Sequence, residues 1–290
     1  MASMRDIKRR RTSIQSTQQI TKAMKLVSTV KLQKARSRAE DSKAYFECMY
    51  STMLSLLAKA GNVNHPYVKG SDCPKKAVVV VTSNRGLAGG YNSNIAKLIT
   101  GSDLKKEDVR IYAVGSKGLE FLQHRGYEIV ADYSEAIEEP TYEDAKVIAT
   151  RLLEDFSKGE VGEIYLAYTF FKNTVSHIPK LMKVLPAEMP EESGQEEPAD
   201  AVDKITPMNF EPEEEEAIAL LVPKYVSSIL YGAFMEAVAS ENGARMQAMD
   251  SATSNAEEMI DDLELMYNRA RQGAITQELT EIIAGAEAIG

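Results

Sequence analysis

Ala77-Val-Val-Val-Val-Thr82 runs without a break into Ser83-Asn-Arg-Gly-Leu-Ala-Gly-Gly-Tyr-Asn92. The first six residues are a continuous apolar, β-branched run, the pattern of a strand buried on both faces. The glycine-rich stretch after it predicts a tight turn into a helix near Asn92–Thr100. The alternation then continues. Val109–Val114 reads as a strand, Gly115–Arg125 as a helix and Tyr127–Ala131 as a strand. Thr141–Ser157 reads as a helix with Thr141 as its N-cap and Glu143 or Asp144 in the first turn. Glu163–Phe171 and Val175–Leu185 read as strands joined in a hairpin through Lys172–Thr174. Strand alternating with helix predicts a mostly parallel, Rossmann-like α/β domain over residues 75–186.

Outward from this domain the pattern changes period. Residues 5–60 hold no Gly and no Pro, which predicts one long helix. Phe46, Met49, Met53, Leu56 and Ala60 follow at alternating steps of three and four, the seam of a coiled coil. Nearer the N-terminus Ile20, Ala23, Met24 and Val27 make a shorter stripe. Gly61, Asn62, Asn64 and Pro66 end the helix. The helical pattern returns at Glu213 and continues almost to the C-terminus. Pro223 inside it reads either as a kink or as the true first turn. Met249, Ala252, Ala256, Met259, Leu263, Met266 and Ala270 form a second seam.

At 1.5 Å per residue these helices would span about 80 Å and about 110 Å, longer than a 290-residue globule can enclose. Each seam is covered most simply by the other. The expected fold is mixed α+β: a long antiparallel coiled coil of the N- and C-terminal helices with the α/β domain inserted between them. The expected segments are 1–60, 75–186, an acidic connection 187–212 with several prolines, and 213–290.

Composition narrows the function. The formal net charge is −9, but residues 1–43 carry twelve Lys or Arg against Asp6, Glu40 and Asp41, which leaves −18 for the rest. Such an arm suits nucleic acid, a mitochondrial leader or an acidic protein surface. Lys is as frequent as Arg in it, and its helical pattern runs on to about residue 60, unlike a cleavable leader. No uninterrupted run approaches the ~18 apolar residues of a membrane span. Cys48 and Cys73 form no CxxC pair, and His65, His124 and His177 are scattered without metal-ligand spacing. No metal or cofactor is therefore expected. The turn at Thr82–Asn92 matches neither the dinucleotide fingerprint nor a P-loop, and no catalytic constellation appears. The rival classes are a nucleotide-binding α/β enzyme carrying a helical hairpin, and a coiled-coil adaptor or nucleic-acid binder. Near the C-terminus Arg269, Arg271, Gln272, Thr276, Glu278, Thr280 and Glu281 stand among apolar and small residues. That pattern suits a helix entering a narrow hole, or a coiled coil fraying into solvent.

Five stretches resemble the γ subunits of F-type ATP synthases: Ser16–Met24 (STQQITKAM), Thr82–Asn92 (TSNRGLAGGYN), Ser240–Met249 (SENGARMQAM), Leu263–Gln272 (LELMYNRARQ) and Ile275–Ala288 (ITQELTEIIAGAEA). They occur in the family's order from one end of the chain to the other. Asn84 stands where the family usually has Asp, and Ala88 where many members have Cys. No cysteine pair sits in an inserted loop, so the thiol switch of chloroplast members is not expected. The start of the chain resembles the mature N-terminus of bacterial members.

The resemblance implies a rotor shaft without chemistry of its own, set in a ring of three α and three β subunits. Its foot would bind the ε subunit and the c-ring, on the cytoplasmic face of a bacterial plasma membrane. No nucleic acid, cofactor or direct membrane insertion is implied, and the catalytic sites belong to β. By matched position Arg9, Arg10, Arg11, Lys22 and Lys25 would face acidic loops of β, with Met24 beside them. Arg245, Met246, Met249, Arg269, Arg271, Gln272, Thr276, Glu278 and Glu281 would engage the ring or hold the two helices in register. Phe210 and Glu211 are the expected foot contacts to the c-ring.

Overall fold

The computed structural model describes residues 4–59, 65–71, 73–186 and 214–287. Phe210 and Glu211 lie outside the described residues, as do Ala60 and the side chain of Phe46. The chain divides into two compact units, Met1–Thr29 with Arg245–Gly290, and Val30–Ala244. Helix α1 (Met4–Lys59) and helix α6 (Glu214–Glu287) each contribute to both.

The Val30–Ala244 unit is built on a sheet of five strands: β1 (Lys76–Val81), β2 (Val109–Val114), β3 (Glu128–Asp132), β4 (Glu163–Phe171) and β5 (His177–Leu185). Their order is β3-β2-β1-β4-β5. The first four pair in parallel and β5 returns antiparallel on β4. Short α2 (Pro66–Lys69) leads in, and α3 (Tyr91–Thr100), α4 (Ser116–His124) and α5 (Tyr142–Ser157) connect the strands.

The apolar run at the centre does what its composition requires. Successive strand side chains point to opposite faces. Val78 and Val80 pack with Ile95, Ile99 and Leu122 of α3 and α4, on the face shared by Ile111 and Ala113. Ala77, Val79 and Val81 belong to the opposite core, with Ile148 and Leu152 of α5 and Val222, Val226, Leu230 and Phe234 of α6. Met53 and Leu56 of α1 are buried in that same core. Both faces are thus covered, as a parallel sheet demands.

Local signals explain the element ends. Thr141 caps α5 in a reciprocal box: the Asp144 amide donates to Thr141 Oγ1 at 3.2 Å, and the Thr141 amide to Asp144 Oδ2 at 2.9 Å. The close approach of α4 to the sheet depends on Gly115 and Gly118. A Cβ on Gly115 (φ 116°) would sit 2.1 Å from the Thr82 carbonyl oxygen, and one on Gly118 2.6 Å from Thr82 Oγ1. At Gly90 it would meet only the Asn94 side chain, at 3.3 Å. In β2, Tyr112 donates to the buried Asp155 at 2.5 Å, and Arg151 reaches the same carboxyl oxygen at 3.0 Å. Burial, and then the bond to Asp155, push the Tyr112 phenol well above its ordinary range.

Pro223 falls inside α6, not in its first turn. Its carbonyl accepts from Ser227 Oγ at 2.7 Å. An 18-residue window of α6 reaches a mean hydropathy of 1.5, long and apolar enough by composition to cross a membrane. Half of that window is buried within the protein, and Ile218, Val222, Val226, Leu230 and Phe234 of this helix are core residues. The apolar character the sequence reading passed over is that of a helix covering a sheet.

Candidate interaction surface

In the Met1–Thr29 and Arg245–Gly290 unit, α1 and α6 run antiparallel. Thr21 Oγ1 and Thr253 Oγ1 share a hydrogen bond of 2.8 Å. Lys25 Nζ donates to Asp250 Oδ1 at 2.6 Å. Arg11 lies 3.7 Å from Glu264 and places its guanidinium 5.9 Å from the centre of the Tyr267 ring. Partner numbers rise on one helix as they fall on the other.

The less exposed positions of α1 are Ile7, Arg11, Ile14, Gln18, Thr21, Lys25 and Ser28, alternating steps of four and three. Those of α6 are Met249, Thr253, Ala256, Ile260, Leu263, Tyr267, Ala270 and Ala274, again four and three. Both are coiled-coil seams. The seam of α1 is mostly polar, and most of the short apolar stripe lies outside it. Ile20, Ala23 and Val27 face solvent; Ile20 is 58% and Val27 57% exposed. In α6, Met249, Ala256, Leu263 and Ala270 keep their expected places, and Ala252 is half-buried. Met259 and Met266 turn outward, however, and Thr253, Ile260 and Tyr267 close the seam.

The register also explains the end of α6. With Arg11 opposite Glu264 and equal rise per residue, Met4 lies level with Arg271. Beyond that point α6 runs past the start of α1. Every residue from Ile275 to Ala286 is exposed. Ile275, Leu279, Ile282 and Ile283, spaced for one helical face, are 49–67% exposed. An apolar face left in water at this density marks a contact surface.

The expected site residues separate into two sets. Met249 is buried in the seam, Lys25 lies in it paired with Asp250, and Met24, Arg245 and Met246 are half-buried. Arg9, Arg10 and Lys22 are exposed, as are Arg269, Arg271, Gln272, Thr276, Glu278 and Glu281. Glu281 accepts from Gln277 at 3.0 Å, and the Thr276 carbonyl from Thr280 at 2.8 Å. Thr21, Thr253, Ile260 and Tyr267 carry no sequence signal of their own, and Arg11, expected to face acidic loops of β, lies in the seam against Glu264 and Tyr267. Only a strict seven-residue repeat, followed through polar residues, would have found them.

The glycine-rich turn is knit into its own fold. Asn84 donates to the Ser134 carbonyl at 2.7 Å and accepts from the Ser116 amide at 2.9 Å. Asn92 Oδ1 accepts from the Ser83 amide at 3.0 Å, and Tyr91 donates to the Ala237 carbonyl at 3.2 Å. Leu87 sits at φ 63° and is 63% exposed.

A family model described as ATP synthase matches residues 3–289. The chain is 63% identical to an ATP synthase gamma chain of Lachnoclostridium phytofermentans, over the full length of both. The chain belongs to the ATP synthase γ-chain family. A sodium-ion-specific γ chain of Acetobacterium woodii is 42% identical, covering 99% of each chain. Among solved structures, a chain from the Tetrahymena thermophila mitochondrial ATP synthase central stalk and c-ring superposes with a TM-score of 0.60 at 26% identity, over 80% of this chain and 99% of that one. A chain of the Euglena gracilis mitochondrial OSCP/F1/c-ring structure shares the fold, with a TM-score of 0.71 at 19% identity over 99% and 94%. Of the stretches resembling the γ-chain family, Ser16–Met24 and Leu263–Gln272 lie in the helix pair, and Thr82–Asn92 leaves the central strand.

Proposed function

We propose that the chain is the central rotor shaft of an ATP synthase, carrying torque between an ion-driven c-ring and the nucleotide sites of the β subunits. The observation that carries this reading is the exposed apolar face of α6 over residues 275–286, in a chain of the γ family. A helix that outruns its partner and keeps Ile275, Leu279, Ile282 and Ile283 in water is completed by an enclosing surface. A ring of three α and three β subunits supplies one.

The physical logic is asymmetry. A single shaft presents different side chains to three identical partners, so each orientation favours a different conformation at each β site. Rotation then shifts the three populations in turn. The chain itself is non-catalytic in this reading, and the chemistry belongs to β. Exposed Arg9, Arg10, Lys22, Arg269 and Arg271 meet acidic surface of the ring, with a strength that falls as salt rises. Gln272, Thr276, Glu278 and Glu281 meet it as the shaft turns. Lys25 and Met249 hold the two helices in register, flanked by Met24, Arg245 and Met246. Phe210 and Glu211 belong to the foot that meets the c-ring, and the ε subunit binds the same end. The complex is a peripheral membrane assembly, on the cytoplasmic face in a bacterium.

The deciding experiment is native mass spectrometry of the chain co-expressed with α and β subunits of one bacterium. The expected result is a complex of three α, three β and one copy of this chain, active in ATP hydrolysis. A free monomer beside unassembled α and β would overturn the reading.

A further inference from the structure

In the Val30–Ala244 unit the hairpin of β4 and β5 is seated on α6 by buried polar groups that the rotor role does not use. Ser240 Oγ donates to the Thr169 carbonyl at 3.1 Å in a buried contact. One turn on, Gly243 lets the His177 ring lie against the helix backbone; a Cβ there would fall 2.6 Å from His177 Cε1. Both ring nitrogens of His177 are buried without a hydrogen bond of normal geometry. Two turns before Gly243, Glu236 points into the same seat, and its Oε2 is buried and unpartnered. The groups facing Glu236 are the Phe171 amide and Tyr168 of β4 and Lys180 of β5. Lys180 is itself held 4.1 Å over the Phe170 ring. His177 faces the Thr174 backbone and the Phe171 ring. On α6, Glu241 and Arg245 flank Gly243, and Lys97 of α3, which also packs on β4 and β5, is exposed.

A buried carboxylate or imidazolium without full pairing is costly. We propose that this seat is a proton-sensitive joint, in which the β4–β5 hairpin is held most tightly on α6 when Glu236 and His177 are both uncharged. The two groups act in opposite directions. Burial raises the Glu236 carboxyl to about 7, against the pull of Lys180 and the Phe171 amide. Its contribution is therefore full below its free value of 4.5 and is lost as pH rises to about 7. Burial lowers the His177 imidazole below 6.5, offset in part by the Thr174 backbone. Its contribution is lost as pH falls below 6.5. Glu236 therefore holds the joint in acid and releases it as pH rises to about 7, whereas His177 releases it as pH falls below 6.5, so above neutral pH only the His177 contribution remains.

The test is hydrogen exchange by mass spectrometry on the full chain, corrected for the intrinsic pH dependence of exchange. Protection of the β4 and β5 amides should fall between about pH 6 and about pH 8.5, by at most about tenfold for a carboxyl displaced from 4.5 to about 7, less the opposing gain at His177 below about pH 7. Glu236→Gln should abolish that fall, and Lys180→Met should move the pH at which it levels off upward. Protection independent of pH in the parent chain, or an undiminished fall in Glu236→Gln, overturns the proposal. Should Glu236→Gln not fold, a level-off pH that fails to rise in Lys180→Met overturns it equally.

Discussion

Ala77 to Val81 of β1 are five residues in a row with no exposed surface, whereas the seam of α1 in the helix-pair unit sets Arg11, Gln18, Thr21, Lys25 and Ser28 around only two isoleucines. The sheet draws its stability from apolar area removed from water, at about 25 cal/mol per Å². The helix pair removes little and fixes its register by matched polar groups, as a polar residue at a seam position does in a coiled coil. Its outward faces keep apolar residues exposed. One region encloses its apolar residues itself, and the other leaves apolar faces exposed.

The largest expected effect falls in the first region. Phe234 is fully buried between α6 and the sheet. Phe234→Ala should cost about 3–5 kcal/mol, the sum of lost transfer energy and a cavity, read from the urea midpoint of the full chain. A cost near 1 kcal/mol would mean that the sheet's cover collapses freely, and the contrast between the units would weaken. Next comes Asn84→Asp. The amide of Asn84 donates to Ser134 and accepts from Ser116, so a carboxylate would set two acceptors face to face. A loss of about 1–3 kcal/mol is expected. An unchanged midpoint would show that the turn rearranges at no cost.

Met24→Lys tests the second region through function. Met24 is half-buried beside Lys25, and a lysine there can reach water by extending its stem. Stability should change by no more than about 1 kcal/mol. Coupling should suffer more, because a new charge enters the surface proposed to transmit torque. The readout is ATP-driven ion pumping in membrane vesicles, per ATP hydrolysed. Normal pumping would sink the idea.

The same contrast explains what could be read beforehand. Alternating strand and helix from Ala77 to Leu185, and the cap at Thr141, were legible because burial on two faces leaves an unbroken β-branched run and capping needs a particular side chain. The seams were legible only where they are apolar: Met249, Ala256, Leu263 and Ala270, but not Thr21, Lys25 or Thr253. The short stripe at Ile20, Ala23, Met24 and Val27 does not tell which way it faces, because periodicity reports amphipathicity, not which face a partner takes. Gly115 and Gly118 were passed over for a different reason. Their need for a missing Cβ arises from Thr82, more than thirty residues away in the chain.

The smallest expected effect is the sharpest probe of the polar seam. The Thr21 hydroxyl lies 3.0 Å from the Gln18 carbonyl, the Thr253 hydroxyl 2.7 Å from the Met249 carbonyl, and the two hydroxyls 2.8 Å from each other. Two hydroxyl protons cannot fill three contacts. When one bridges the helices, the carbonyl beneath it keeps only its helical bond. Replacing both threonines by valine therefore removes little net hydrogen bonding and adds two methyl groups to a dry contact. The double variant should lie within about 0.5 kcal/mol of the parent, while Thr21→Val alone, which leaves one hydroxyl facing a methyl, should cost about 1 kcal/mol. The measurement is a double-mutant cycle on chemical unfolding. A double-variant loss of about 2 kcal/mol or more would mean that the bridge itself holds the helices together. The polar seam would then supply stability as well as register, and the contrast with the sheet would reduce to one of composition.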